Sequence, residues 1–277
     1  MGMNNRIVFS KNGSLNDFSV ALSTYRGQIK TFTQVSGQDY LYIGSRLPFN
    51  HIYFKLQKPS INTAAMKVQY YDGTSWVDTV EVIDETEGFK KSGMVQFTPN
   101  RDKGWGMRST NYNGEKVPGL EGIVIYDFYW TRISFDASLS EVEIKWAGNL
   151  FSNDDDLVSE FPDLLSTANI ASWEDGKTNW EEQHVAASKL LTDDLVNKGI
   201  ICGPEQILDW REFTTACIQK TAEIIFKGMG DDYKDDVLDA RKEYNARLAR
   251  RFSRLDLNND ATETAGERFH SVGFFTR

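Results

Sequence analysis

Hydrophobic periodicity changes once along this chain, near residue 150, and that switch constrains the fold more than any other feature. Before it, apolar residues recur at every second position, the spacing of half-buried strands. His51-Ile52-Tyr53-Phe54-Lys55-Leu56 sets Ile52, Phe54 and Leu56 on one face. Glu141-Val142-Glu143-Ile144-Lys145-Trp146 sets Val142, Ile144 and Trp146 inside and three charges outside. Tyr70-Tyr71-Asp72-Gly73-Thr74-Ser75-Trp76 places Asp-Gly between aromatic strand formers, which predicts a hairpin. Further strands are expected at 80–83, 94–97, 123–126 and 133–135.

After the switch the period is helical. Asn179 with Glu182 reads as a capping box, and Trp180, His184, Ala187, Leu191 and Leu195 form one stripe behind it. Asn197-Lys198-Gly199 stops that helix. Gly203-Pro204 opens a second, bearing Ile207, Trp210, Phe213, Cys217, Ile224 and Ile225, and Gly228-Met229-Gly230 ends it. A third is expected from Tyr233 to Leu255, with a shorter one near 161–170. The expected fold is therefore α+β: an N-terminal antiparallel β-sandwich, jelly-roll-like, followed by a C-terminal helical bundle. Its expected limits are a β-domain over 1–150, an acidic linker over 151–160, where Ser152-Asn153-Asp154-Asp155-Asp156 suits a linker or a helix start, and a helical domain with an extended tail over 161–277.

Charge divides at the same place. Residues 1–150 hold 16 Lys+Arg and 15 Asp+Glu, while 151–277 hold 15 and 25, so the net charge of -9 belongs to the second part. That balance argues against a surface built to neutralise phosphate. No apolar run reaches the roughly 18 residues of a membrane span, and the N-terminus lacks the apolar stretch of a signal peptide, so no membrane partner is expected.

Enzymatic signatures are sparse. His51, His184 and His270 fall in no metal-ligand spacing, and Cys202 and Cys217 are too few for a disulfide framework. Gly176-Lys177-Thr178 resembles the end of a phosphate loop. However, Ala171 stands where the first glycine belongs, and Trp173-Glu174-Asp175 fills the interior with bulk and negative charge. No catalytic or cofactor-binding set is assigned, and no enzyme is expected.

Two patterns carry binding chemistry. Asp256, Asn258, Asp260, Thr262 and Glu267 place oxygens at the spacing by which a calcium loop wraps its ion, with Ala261 where such loops use glycine. The same residues also read as a polar stop after a helix. Arg247, Arg250, Arg251 and Arg254, spaced by three and four, would share one helix face. That face is either solvated or a surface for acidic groups of another chain or for a phosphate backbone.

The stretch Met66–Val77, with Asp84-Glu85-Thr86-Glu87-Gly88-Phe89 and Ser92-Gly93-Met94-Val95-Gln96-Phe97, resembles β-domains of tailed-phage particle proteins. Phe128-Tyr129-Trp130-Thr131-Arg132-Ile133 would be their closing tryptophan strand. The long central helix, the basic helix from Tyr233, the Asp256–Asp260 turn and the terminal Phe274-Phe275-Thr276-Arg277 are similar to head–tail adaptor (connector) proteins of tailed bacteriophages. The resemblance covers most of the chain from Met66 onward. It implies a virion protein, assembled in the host cytoplasm, in a homo-oligomeric ring of about twelve copies. Its partners would be the portal protein and tail or neck proteins, with passing DNA met only non-specifically. The arginine face, Phe274 and Phe275 would form interfaces. The rival expectation is a glycan-binding β-sandwich module that stacks sugars on exposed rings.

Overall fold

The computed structural model describes residues 5–249, 254–262 and 267. They fall into two units. A β unit is built on the chain up to Gly148 with residues 258–262, and a helical unit on 149–257 with Glu267.

The β unit runs through β1 (Asn5–Lys11), β2 (Ser14–Asp17), a short helix α1 (Ser19–Leu22), β3 (Lys30–Phe32), β4 (Tyr40–Ser45) and β5 (His51–Lys58). It continues through β6 (Met66–Tyr71), β7 (Trp76–Asp78), β8 (Glu81–Asp84), β9 (Gly93–Thr98) and β10 (Met107–Arg108). The last strands are β11 (Asn111–Tyr112), β12 (Glu115–Lys116), β13 (Phe128–Phe135) and β14 (Val142–Gly148). One sheet has the order β2-β1-β4-β13-β6-β7, with β10 also on β13, and a second has the order β3-β14-β5-β9-β8. Both are antiparallel, so the class is α+β with antiparallel sheets and C-terminal helices.

Alternation explains the core. Ile7, Phe9, Leu41, Ile43 and Ile133 from the first sheet join Ile52, Phe54, Leu56, Val95 and Val142 from the second in one apolar cluster. The first sheet is covered on its other face too. There Val8, Tyr42, Tyr71, Phe128 and Trp130 pack with Val117, Leu120 and Ile125 of the long connection between β9 and β13. A strand buried on both faces has no polar alternate positions, which is why β1 and β4 show no period of two.

The Asp-Gly hairpin forms as expected between β6 and β7. The Asp72 carboxylate accepts the Thr74 and Ser75 amides, both at 2.7 Å, and Gly73 takes the left-handed φ of 97°. Two readings of the strands change. Residues 123–126 are irregular rather than a strand, because Ile125 trades bonds with Thr110 alone: its amide donates to the Thr110 hydroxyl and its carbonyl accepts the Thr110 amide. In β14 the register against β5 shifts between Ile144 and Trp146. A bulge swaps the faces that follow it. Trp146 therefore leaves the Val142–Ile144 face and meets Tyr53, centroids 6.0 Å apart, while Ala147 enters the shared cluster.

The helical unit contains α2 (Asp154–Val158), α3 (Thr167–Trp173), α4 (Glu181–Asn197), α5 (Thr214–Met229) and α6 (Lys234–Leu248). The expected linker over 151–160 is part of this unit. Phe151 and Leu157 are fully buried in its clusters, and Asn153 with Asp156 makes a reciprocal capping box that starts α2. The box expected at Asn179 is absent from the start of α4: Trp180 is the cap residue, and its amide donates to the Asp154 carboxylate. All five residues of the α4 stripe are fully buried. The second helix starts later than Gly203-Pro204. Pro204–Gln206 and Trp210–Phe213 are 3-10 turns, and the α-helix begins at Thr214. The third stops seven residues before Leu255. Leu255 pairs with Ile207 in an isolated bridge, and the Leu208 amide donates to the Arg254 carbonyl, which needs extended backbone there.

Candidate interaction surfaces

Of the four arginines expected on one helix face, Arg247 and Arg254 are described. Arg247 lies on α6, with its guanidinium 2.9 Å from Glu243 and 3.5 Å from Glu160. Arg254 lies past the helix and reaches Asp209 at 2.6 Å, while its amide donates to Glu212. Both charges are thus paired inside the unit. Burial alone would raise the Asp209 carboxyl, but hydrogen bonds and charge from Arg211, with the charge of Arg254, hold it below its ordinary 3.8. Arg250, Arg251, Phe274 and Phe275 lie outside the described residues.

Of the five expected calcium ligands, Asp260 accepts the Thr262 amide and hydroxyl, each at 2.7 Å, and Asn258 accepts the Asp260 amide at 3.1 Å. These are local Asx-type turns. Glu267 accepts the Leu257 amide at 2.8 Å, and Asp256 is held to Gln206 through two backbone-mediated bonds. Ala261 has φ 57°, the left-handed conformation for which such loops use glycine. Among the described residues no group of three or more His, Cys, Asp or Glu side chains is placed to hold a metal ion.

A Ser-His-Asp set that spacing does not reveal assembles in the helical unit. Ser152 Oγ lies 2.7 Å from His184 Nδ1, Thr221 Oγ1 3.2 Å from the same nitrogen, and Asp154 Oδ1 3.2 Å from Nε2. The residue types suit nucleophilic catalysis, but access decides otherwise. Ser152 is 2% exposed and His184 0%, so no substrate atom reaches the hydroxyl. The two hydroxyls join α4 to α5 and to the segment before α2 through His184 Nδ1, while Nε2 makes no hydrogen bond. The neighbouring Cys217 thiol is pushed up to about 11 by burial, so it is an inert packing group.

Two surfaces are chemically richer. On the β unit, Arg132 stands over the rings of Tyr40 and Trp76, at 4.4 and 4.7 Å, and its Nε donates to Gln69 at 2.8 Å. Nearby in sequence terms, the β11–β12 hairpin and the stretch before β13 bring Tyr112 and Tyr126 into an exposed edge-to-face pair, centroids 4.9 Å apart. On the helical unit, a cleft of about 440 Å³ is lined by Phe161, Gln219, Phe226 and Ala240, with Asp236, Asp239, Lys242 and Glu243 at its edge. The acidic start of α6 is visible in the sequence as a complement to the helix dipole. Its apolar floor comes from α5 and the 161 segment, which no linear pattern connects to it. No family model matches this chain, and no curated protein sequence matches it significantly.

Proposed function

We propose that this chain is a structural protein of tailed-phage particles, a head–tail adaptor that closes into a ring of about twelve copies at the head–tail junction. The helical unit docks on the portal, and the β unit, a jelly-roll-like sandwich in this reading, faces tail or neck proteins. The observation that carries it is the division of one chain into two units, each closed around its own apolar core, with the net charge concentrated on one. A bridging protein must offer chemically different surfaces to different partners. In this reading the chain is not an enzyme and works within the virion. The acidic helical surface repels passing DNA and meets it only non-specifically.

Mass spectrometry of purified particles tests the reading: about twelve copies per particle are expected. Absence of the chain from particles overturns it. Calcium at residues 256–267 is supported by the oxygen spacing and by the left-handed Ala261. Melting with calcium and then with chelator checks it, a rise in midpoint with calcium being expected.

The exposed Tyr112–Tyr126 pair favours a second reading, in which the β unit stacks a glycan on these rings. A glycan array with a Tyr126→Ala control separates the two, since an adaptor gives no sugar signal.

A further inference from the structure

Residues 123–126 of the β unit are too sparsely bonded to be a strand, yet they alternate like one. Ile123 and Ile125 turn toward Thr110: the Ile123 carbonyl accepts its hydroxyl, and Ile125 bonds it through both amide and carbonyl. Asn111 Nδ2 donates to the Glu121 carbonyl at 2.8 Å, so the stretch runs antiparallel to 110–111. Successive residues of such a chain turn their backbone groups to opposite edges. The amides and carbonyls of Val124 and Tyr126 therefore point away, and they make no hydrogen bond among the described residues. Ile125 is buried beneath, while Val124 and Tyr126 are each 51% exposed.

An edge of this kind is a template for another strand, and proteins commonly blunt theirs with charge or proline. Residues 122–126 hold neither. Charge stands only at the two ends, as the exposed acids Glu121 and Asp127, and the stretch 117–127 contains no base. A sugar would stack on Tyr126 alone. A polypeptide also satisfies the alternating amides and carbonyls.

We propose that this edge takes an extended segment of another protein, added as a β-strand, with apolar side chains beside Val124 and Tyr126 and a cation at each end. The assignment does not depend on the adaptor reading, and particle composition and peptide binding fail separately. The probe is a fluorescein-labelled peptide of alternating valine and threonine with a lysine at each end, titrated into the intact chain. Residues opposite Val124 and Tyr126 share their face and turn their amides to the edge, so N-methylation at the valines removes the donors that matter. Binding is expected, about tenfold weaker after that N-methylation and about tenfold weaker with glutamates in place of the end lysines. Glu121→Gln with Asp127→Asn keeps the bonds to Gly119 and Ser109 and should weaken the lysine-ended peptide severalfold. Equal binding of the N-methylated peptide, or none of the unmodified one to a folded chain, overturns the proposal. So does self-association of the free chain that Val124→Pro abolishes, which would make the occupant a second copy. Hydrogen exchange gives an independent measurement. The peptide should slow the Val124 and Tyr126 amides severalfold, and unchanged exchange refutes strand addition.

Discussion

At Gly44 an added Cβ would lie 2.8 Å from the Trp130 ring, closer than packed carbons come. The glycine is needed for this approach rather than for its backbone freedom, since β4 is regular there. Trp130 is fully buried, so the ring has nowhere to move. Gly44→Ala should cost about 1–3 kcal/mol by overpacking, measured by urea unfolding. Gly13 is the opposite case: φ is 78° and nothing lies within 4 Å of its Cβ position. Gly13→Ala should cost about 1 kcal/mol, through the left-handed backbone alone. Gly13 closes the turn between β1 and β2, where Asn12 too has a left-handed φ, of 49°. The Trp130 contact is invisible in the sequence, because it joins neighbouring strands 86 positions apart, as Trp130 pairs with Gly44.

Among elements, α2 decides between two readings of one run, linker or helix start, in favour of the helix. Its Asp-rich stretch looks like a linker because three acids in a row suggest solvent, yet those acids favour a helix N-terminus. Phe151 just before it packs on Phe213, centroids 6.1 Å apart. Phe151→Ala should destabilise the helical unit by about 3–5 kcal/mol, whereas a linker residue would change nothing measurable. The α5–α6 pair gives a pH prediction. Burial alone would raise the Glu223 carboxyl, but hydrogen bonds from Lys220 and Arg241 outweigh it, so its folded value lies below the ordinary 4.5. A depressed carboxylate stabilises fully above its unfolded value, and that contribution is lost as pH falls through the folded one. Stability of the helical unit should therefore fall as pH drops below 4.5, and Glu223→Gln should flatten that slope in denaturation curves taken at several pH values.

For the whole molecule, two separate sets of apolar clusters imply two cooperative cores. Calorimetry should resolve two transitions, and Phe151→Ala should lower only one of them. A single transition shifted as a whole by that substitution would contradict independent cores.

The change of period near residue 150, the Asp-Gly hairpin, the α4 stripe and the split of charge were all legible in the sequence. Each is a local pattern, produced by spacing of neighbours along the chain. Both-face burial of β1 and β4, the face swap at Trp146, the early end of α6 and the pairing of Arg254 with Asp209 were not. Each depends on a partner distant in sequence: a connection that covers a sheet, a bulge set by the neighbouring strand, a bridge to Ile207. Local spacing determines which elements this chain can form. Only tertiary packing decided where they stop, which face they bury and which charges they spend on one another, because burial and pairing are properties of neighbours in space.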